Sequence, residues 1–177
     1  MRKVTFGGAS SLDGYFAGPD GAMDWLVFSD EAMQLMADYW PRVDTIIMGR
    51  VTYEIALASQ PENAEQDDSI RTYVFSKTLA PGKQPNGAEV VSSDPGEFVR
   101  ELKLLDGKEI CVMGGGRLAN SLLAAGVIDE IGFNVHPILL GGGAPLFYEL
   151  HGRVELELKE CKRLANGCVY VHYQVKN

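Results

Sequence analysis

The sequence predicts a single α/β domain over residues 1–177, with a mostly parallel central sheet flanked by helices and a C-terminal antiparallel hairpin. Short apolar runs, typical of strands covered on both faces, alternate with amphipathic helical patterns through most of the chain. Near the end the pattern changes to a two-residue alternation of apolar and polar side chains, interrupted by the turn dipeptide Asn166-Gly167. No linker-like segment separates the two parts, so we expect one domain.

Strands are predicted where β-branched and aromatic residues cluster. The first begins at Val4-Thr5-Phe6, and the last two form the hairpin between Val154 and Val175. The remaining predicted strands, in chain order, cover 45–48, 72–75, 89–91, 110–113 and 128–135.

Helices are predicted where a capping residue precedes an amphipathic run. Ser29 begins one such run, which Pro41 ends. Asp94 begins another, and two more helices are expected over about 51–58 and 117–125. The apolar face of the helix after Asp94 is expected to consist of Phe98, Leu102 and Leu105. The polar and acidic segment 60–69 is expected to be a loop.

Composition excludes several classes of protein. Lys and Arg number 16 against 24 Asp and Glu, and a net charge of −8 disfavours a nucleic-acid binder. No apolar run approaches ~18 residues and no signal peptide is evident, so we expect a cytoplasmic protein without a membrane partner. The three cysteines, Cys111, Cys161 and Cys168, lack C-x-x-C spacing, and the histidines lack metal-ligand spacing, so no metal is expected.

Three predicted strands end in residues that bind phosphate well. Gly114–Gly116 stand between a strand and a helix, where backbone N–H groups face an anion. Gly49-Arg50 with Thr52 follow a second strand, and Ser76-Lys77 follow a third. Because ligands of open α/β sheets bind at the carboxyl ends of strands, these residues indicate one phosphate-rich ligand. A tight strand-to-helix turn without any ligand remains the alternative for the glycine triplet.

The sequence resembles the dihydrofolate reductase-like superfamily, which includes the reductase domain of bacterial riboflavin biosynthesis. Residues 48–54 are similar to its M-G-R-x-T-[WY]-E motif and residues 112–118 to its V-x-G-G-G-R-[VL] motif. Residues 22–25 resemble the loop segment that ends in Trp, whereas 11–14 and 139–143 resemble the riboflavin-type branch. The similarity extends from Val4 to Val175, with the motifs in family order.

The resemblance implies NADPH as cofactor. The groups implied in phosphate binding are glycines, cations and hydroxyls, with Ala9 bordering the nicotinamide. The residues implied at the phosphates are Gly49, Arg50 and Thr52; at the adenosine 2′-phosphate, Ser76 and Lys77; and at the pyrophosphate, Gly114, Gly115, Gly116, Arg117 and Leu118.

Two carboxylates are candidate catalytic residues by the same resemblance. Asp30 stands five residues after Trp25, as the proton-supplying acid of folate reductases does, although an acid beside Ser29 also has a helix-dipole role. Asp13 is the candidate for substrate contact in the riboflavin branch, although Asp13-Gly14 is also a turn sequence. Asn134 aligns with the strand residue that supports the acid, and a side chain facing solvent is the alternative.

The resemblance implies an NADPH-dependent reductase of a small heterocyclic or carbonyl or imine substrate, comparable to 5-amino-6-(5-phosphoribosylamino)uracil reductase or dihydrofolate reductase. A homodimer is expected, with the exposed hairpin as a pairing edge. Met113 stands where riboflavin-type enzymes have Glu, and the Arg that holds the folate tail has no clean counterpart. A member that binds a nucleotide or flavin without catalysis is therefore the alternative.

Overall fold

A computed structural model of the chain describes residues 1–59, 69–148, 150 and 152–176. The segment expected to be a loop, 60–69, lies outside the described residues except for Ser69. The strands are β1 (Val4–Ser11), β2 (Tyr15–Ala17), β3 (Val43–Gly49), β4 (Arg71–Phe75), β5 (Gly82–Lys83), β6 (Glu89–Val91), β7 (Glu109–Met113), β8 (Glu130–His136), β9 (Ala144–Pro145), β10 (Glu155–Arg163) and β11 (Val169–Lys176). The α-helices are α1 (Asp30–Tyr39), α2 (Arg50–Ser59), α3 (Pro95–Leu104) and α4 (Gly116–Ala124).

The main sheet has nine strands in the order β10-β11-β8-β1-β7-β3-β4-β6-β5. The six central strands, from β8 to β6, pair in parallel, whereas β11, β10 and β5 are antiparallel to their neighbours. The predicted mostly parallel sheet with a C-terminal antiparallel hairpin is thus confirmed. The short strands β2 and β9 form a separate pair and were not predicted.

Capping side chains begin two of the helices where the sequence places them. The Ser29 hydroxyl accepts from the Ala32 amide at 3.2 Å, and the Asp94 carboxylate accepts from the Glu97 amide at 3.0 Å. A short 3₁₀ helix, Trp40–Arg42, follows α1. These contacts involve residues three apart in sequence, which is why local patterns predict them.

The apolar face of α3 differs from the expectation at Leu105. The helix ends at Leu104, and Leu105 turns into extended backbone and is 55% exposed. Val99 and Leu102 are the apolar side chains of α3 that are fully buried. The prediction for Leu105 was wrong because α3 ends one residue earlier. The extended backbone at Leu105 directs its side chain away from the buried face of the helix.

Helices cover both faces of the sheet. On one face, α3 and α4 pack against a core that contains Phe6, Ile110 and Val112. On the other face, α2 packs over β3 and β4 through Tyr53, while α1 packs over the β10–β11 hairpin through Ala32. Strands β8, β1 and β7 lie between β11 and β3 in the sheet. On the second face, α1 and α2 therefore lie on opposite sides of these three central strands.

Candidate functional site

The carboxyl ends of the parallel strands meet at one edge of the sheet, and two helices begin there. Helix α2 starts at Arg50, directly after β3, and α4 starts at Gly116, shortly after β7. The two turns touch: a Cβ placed on Gly115 would lie 3.7 Å from the Gly49 amide nitrogen. The positive ends of two helix dipoles are therefore adjacent, as expected for an anion site.

The turn before α4 depends on glycine. Gly114 and Gly115 have φ angles of 61° and 83°, a left-handed conformation that side chains disfavour. Gly115 is the N-cap and offers no side chain to the first amides of α4. Gly116 lies under the carbonyl oxygens of Pro145 and Leu146, each 2.6 Å from where a Cβ would be. This backbone can turn its N–H groups toward an anion without a competing side chain.

The two residues after the glycines contribute in different ways. The Leu118 side chain is buried in the core, so only its backbone is available to a ligand. The Arg117 side chain is exposed, and its guanidinium lies 5.0 Å from the centre of the Tyr148 ring. Arg117 therefore adds a cation near the start of α4.

Open space adjoins Gly49 at the start of α2. A Cβ on Gly49 would meet no atom of the described residues within 4 Å. Thr52 is half-buried, and its hydroxyl oxygen lies 3.1 Å from where a Cβ on Gly114 would be. The Arg50 guanidinium donates to both carboxylate oxygens of Glu54 at 2.8 and 2.7 Å. The structure thus brings Gly49, Thr52 and Gly114 together and pairs the Arg50 cation with a carboxylate on its own helix.

The end of β4 presents one cation and one hydroxyl. The buried Ser76 hydroxyl accepts from the backbone amides of Thr78 and Leu79 at 3.1 and 3.0 Å. Lys77 is exposed and directly follows. Ser76 shapes the turn that carries Lys77, an arrangement similar to a cap at a helix start.

Asp13 connects the β1–β2 turn to the glycine-rich loop that follows β8. Its carboxylate accepts from the Ser11 hydroxyl at 2.6 Å and from the amides of Leu140 and Gly141 at 3.1 and 2.8 Å. The hydrogen bond from Ser11, with those two amides, lowers the pKa of Asp13 below its ordinary value. These contacts favour the ionised carboxylate and give Asp13 a structural task.

Asp30 is the first residue of α1 and is exposed. Since the Ser29 hydroxyl makes the capping bond, the Asp30 carboxylate is not needed for it. The segment before it contains Trp25, which is 9% exposed and whose indole Nε1 is buried without a hydrogen-bond partner among the described residues.

Asn134 and Ala9 are neighbours on β8 and β1. They are paired across the two strands, and both are half-buried. The Oδ1 atom of Asn134 is buried, and no described residue offers it a hydrogen bond. A polar atom in this state is costly unless a ligand or water supplies the missing bond. The Asn134 Oδ1 atom is therefore not a solvated surface group, and it has room for one more hydrogen bond.

His136 is a residue of this edge that sequence reasoning missed. It is 2% exposed, and its ring packs edge-on against Trp25 at 5.1 Å between centroids. A signal was present in the sequence, since His136 stands two residues after Asn134 in the same strand and so shares its face.

The other reactive side chains lie in the interior or apart from one another. Burial raises the pKa of the Cys111 thiol to about 11, so it is no activated nucleophile. Among the described residues, no group of three or more His, Cys, Asp or Glu side chains could hold a metal ion. Within the same part of the chain, no helix has the length and apolar content to cross a membrane.

Comparison with known proteins gives a family, a relative and two structures. The family described as the RibD C-terminal domain matches residues 2–170. YwjB of Bacillus subtilis strain 168, an uncharacterized protein, is 36% identical over 97% of this chain and 97% of its own length. The structure of a Shewanella sp. PV-4 protein that is named for riboflavin biosynthesis is 27% identical over the whole of both chains. Its TM-score is 0.81.

The fold also extends to a more distant structure. The dihydrofolate reductase of Enterococcus faecalis is 16% identical, covers 99% of this chain and 97% of its own, and gives a TM-score of 0.69. At that identity the likeness shows the fold alone. It confirms the predicted α/β architecture of the dihydrofolate reductase type.

Proposed function

Because the chain belongs to the family of RibD C-terminal domains, we propose that it is an NADPH-dependent reductase of a small heterocyclic or carbonyl or imine substrate. The family and the fold are of a reductase type. The finer proposal covers pterin-like and ribosylaminopyrimidine-like compounds. The observation that carries it is the contact between the Gly49 and Gly115 turns, which joins two helix N-termini at one edge of the sheet.

The residues present fit a dinucleotide phosphate. Gly49, Gly114 and Gly115 have no side chains that could shield their backbone amides, and Thr52 adds a hydroxyl beside Gly114. Lys77, on the turn after β4, is proposed to meet the 2′-phosphate, with Ser76 shaping that turn. Also proposed at the cofactor are Arg50, Gly116, Arg117, the Leu118 backbone and Ala9.

When bound, NADPH supplies a hydride to the carbon of a C=O or C=N bond and leaves as NADP⁺, and one proton completes the reduction. The protein must orient the acceptor and deliver that proton. Asp30 is our proposed proton source. Asp13 is less suited, because its three hydrogen bonds favour the ionised form and hold a loop in place. Asn134 is proposed to contact the substrate through its buried Oδ1 atom.

The test has a binding step and a turnover step. NADPH is titrated into the wild-type protein and into Arg50→Ala, with NADPH fluorescence as the readout. Turnover of 5-amino-6-(5-phosphoribosylamino)uracil and of dihydrofolate is then followed by the loss of NADPH absorbance. Binding that weakens in Arg50→Ala, together with turnover that falls in Asp30→Asn, supports the proposal.

Other outcomes decide against parts of it. Absence of NADPH binding at millimolar concentration rejects the cofactor. Binding without turnover across a panel of pterins and aminopyrimidines favours a non-catalytic nucleotide-binding protein. A yellow protein as purified favours flavin in the same cleft.

We also propose that the protein is a cytoplasmic homodimer. Among the strands that the structure describes, β10 is an edge of the sheet and pairs only with β11, and its Leu156 and Leu158 are 40% and 54% exposed. An unpaired edge of this kind can pair with a second copy. The cysteines Cys111, Cys161 and Cys168 are free, which suits a reducing compartment. Light scattering of wild type and Leu158→Lys tests the dimer: a monomeric wild type rejects it.

A further inference from the structure

We propose that His136 is a positioning residue, which fixes the Trp25–Val27 segment and the end of β8 as one wall of the substrate pocket. The inference rests on the proposed reductase function for its meaning, but its structural part can be tested without that function. His136 lies at the carboxyl end of β8, on the edge of the sheet that carries the candidate site. It is 2% exposed, so its hydrogen bonds must be made within the protein.

The ring connects two segments that are far apart in sequence. Its Nε2 atom lies 3.3 Å from both the backbone nitrogen and the carbonyl oxygen of Val27, 109 residues away. Its Nδ1 atom lies 3.2 Å from the carbonyl oxygen of Asn134 on its own strand. One imidazole therefore bridges the segment before α1 and strand β8.

The neighbouring contacts select one arrangement of the proton. The Val27 carbonyl already accepts from the side-chain amide of Asn166 at 2.8 Å. The bond still missing is an acceptor for the Val27 amide, which a neutral ring supplies through Nε2. The proton then lies on Nδ1 and is donated to the Asn134 carbonyl. The neutral ring satisfies both segments at once.

The His136 bridge fixes the positions of Trp25 and Asn134, each of which carries a buried polar atom. The ring packs edge-on against Trp25, with 5.1 Å between centroids and 84° between planes, and so fixes the indole. The Trp25 Nε1 donor and the Asn134 Oδ1 acceptor are both buried, and neither has a hydrogen-bond partner within the part of the chain that the structure describes. A buried polar atom left in this state destabilises the protein unless a ligand or water supplies the missing bond. A substrate that offers an acceptor to the first and a donor to the second gains both bonds only if His136 keeps them in place.

The test uses the emission of Trp25. The sequence has two tryptophans, so Trp40→Phe leaves Trp25 as the only source of tryptophan fluorescence. In this background we compare His136→Leu, which keeps apolar bulk but removes both hydrogen bonds, with His136→Gln, whose side-chain oxygen can still accept from Val27. His172→Gln is the matched control. His172 lies on the neighbouring strand β11, and its Nε2 atom is 3.0 Å from the Glu130 carboxylate on β8.

We expect His136→Leu to shift Trp25 emission to longer wavelength and His136→Gln to restore part of the shift. We expect His136→Leu to raise KM for 5-amino-6-(5-phosphoribosylamino)uracil about tenfold and to change the NADPH Kd less than twofold, because the phosphate turns are elsewhere. His172→Gln should leave the emission unchanged.

A folded His136→Leu variant with wild-type emission overturns the positioning role. Emission that shifts equally in His172→Gln also overturns it, because the effect is then general destabilisation. If the emission shifts only in the His136 variants but NADPH never binds, the positioning role stands and the proposed function fails. A tenfold loss of NADPH affinity in His136→Leu contradicts the assignment to the substrate wall.

Discussion

The Arg50 guanidinium is held by the Glu54 carboxylate, with Nη1 2.8 and 2.7 Å from its two oxygens. The two side chains are 41% and 47% exposed and lie one turn apart on α2. The cation proposed to bind a phosphate is therefore paired on its own helix, and the cofactor must compete with Glu54 for it.

Replacing Glu54 by Gln should tighten NADPH binding by about twofold. An exposed ion pair four residues apart on a helix is worth only ~0.3–0.5 kcal/mol. In Glu54→Gln the cofactor no longer has to break this pair, so its affinity rises by the corresponding factor. Arg50→Ala should weaken binding by roughly tenfold or more, since a hydrogen bond to a charged group is worth ~1.5–3 kcal/mol. Isothermal titration of both variants with NADPH is the measurement. An Arg50→Ala variant with unchanged affinity would remove Arg50 from the site.

Lys77 should set the preference for NADPH over NADH. Its exposed ammonium follows β4 at the same edge, and a 2′-phosphate there would gain a charge-assisted contact. Lys77→Ala should reduce NADPH affinity by roughly tenfold and leave NADH affinity unchanged, as measured by fluorescence titration. The control is Lys83→Ala, an exposed lysine on β5. Equal losses for the two cofactors would place Lys77 away from the 2′-phosphate.

Asp13 should make stability depend on pH at the acidic end. Hydrogen bonds, first that from Ser11, lower the pKa of Asp13 in the folded protein below its ordinary value of 3.8. A lowered folded pKa means that the stabilisation is present above the unfolded pKa and is lost as pH falls through the folded pKa. Asp13→Asn should therefore have a lower Tm than wild type at pH ~7, with a difference that shrinks below pH ~4. A difference independent of pH would contradict this origin.

The parts of the fold that sequence predicted are those fixed by neighbours in the chain. Ser29 and Asp94 cap helices through residues three positions away. What could not be predicted depends on residues far apart. His136 meets Val27 across 109 positions, and Asp13 meets Gly141 across 128.

The candidate site divides in the same way. The glycine turns and the cations were predicted because each follows its own strand directly, and parallel strands bring such ends together. The pairing of Arg50 with Glu54 needed only helix spacing, yet the sequence does not say whether a cation turns to its own helix or to a ligand. The position of Trp25 could not be predicted, because it depends on the tertiary contact with His136.

A largely buried ion pair at the amino ends of the strands should contribute more to stability than an exposed pair does. The Lys103 ammonium, 7% exposed, lies 2.8 and 2.7 Å from the two oxygens of Asp129 and 3.2 Å from the Val127 carbonyl. Lys103→Met should cost about 2–3 kcal/mol in urea unfolding, because it leaves Asp129 without its cation. Arg42→Met is the control, since Arg42 is 51% exposed beside Glu109 and should cost about 1 kcal/mol or less. Equal costs would show that burial does not decide the contribution.

Gly115→Ala should separate cofactor binding from stability. Gly115 and Gly126 stand at opposite ends of α4, with φ angles of 83° and 65°, and a Cβ on either would meet no atom closer than 3.7 Å. Alanine should therefore cost each site a similar ~1–2 kcal/mol of left-handed strain. Only at Gly115 does the backbone face the proposed phosphate, so Gly115→Ala should weaken NADPH binding by roughly tenfold, while Gly126→Ala should bind as wild type does. Thermal unfolding checks the shared loss and NADPH titration checks the difference. If both variants bind equally well, the turn before α4 is a structural feature of the fold and the pyrophosphate must lie elsewhere.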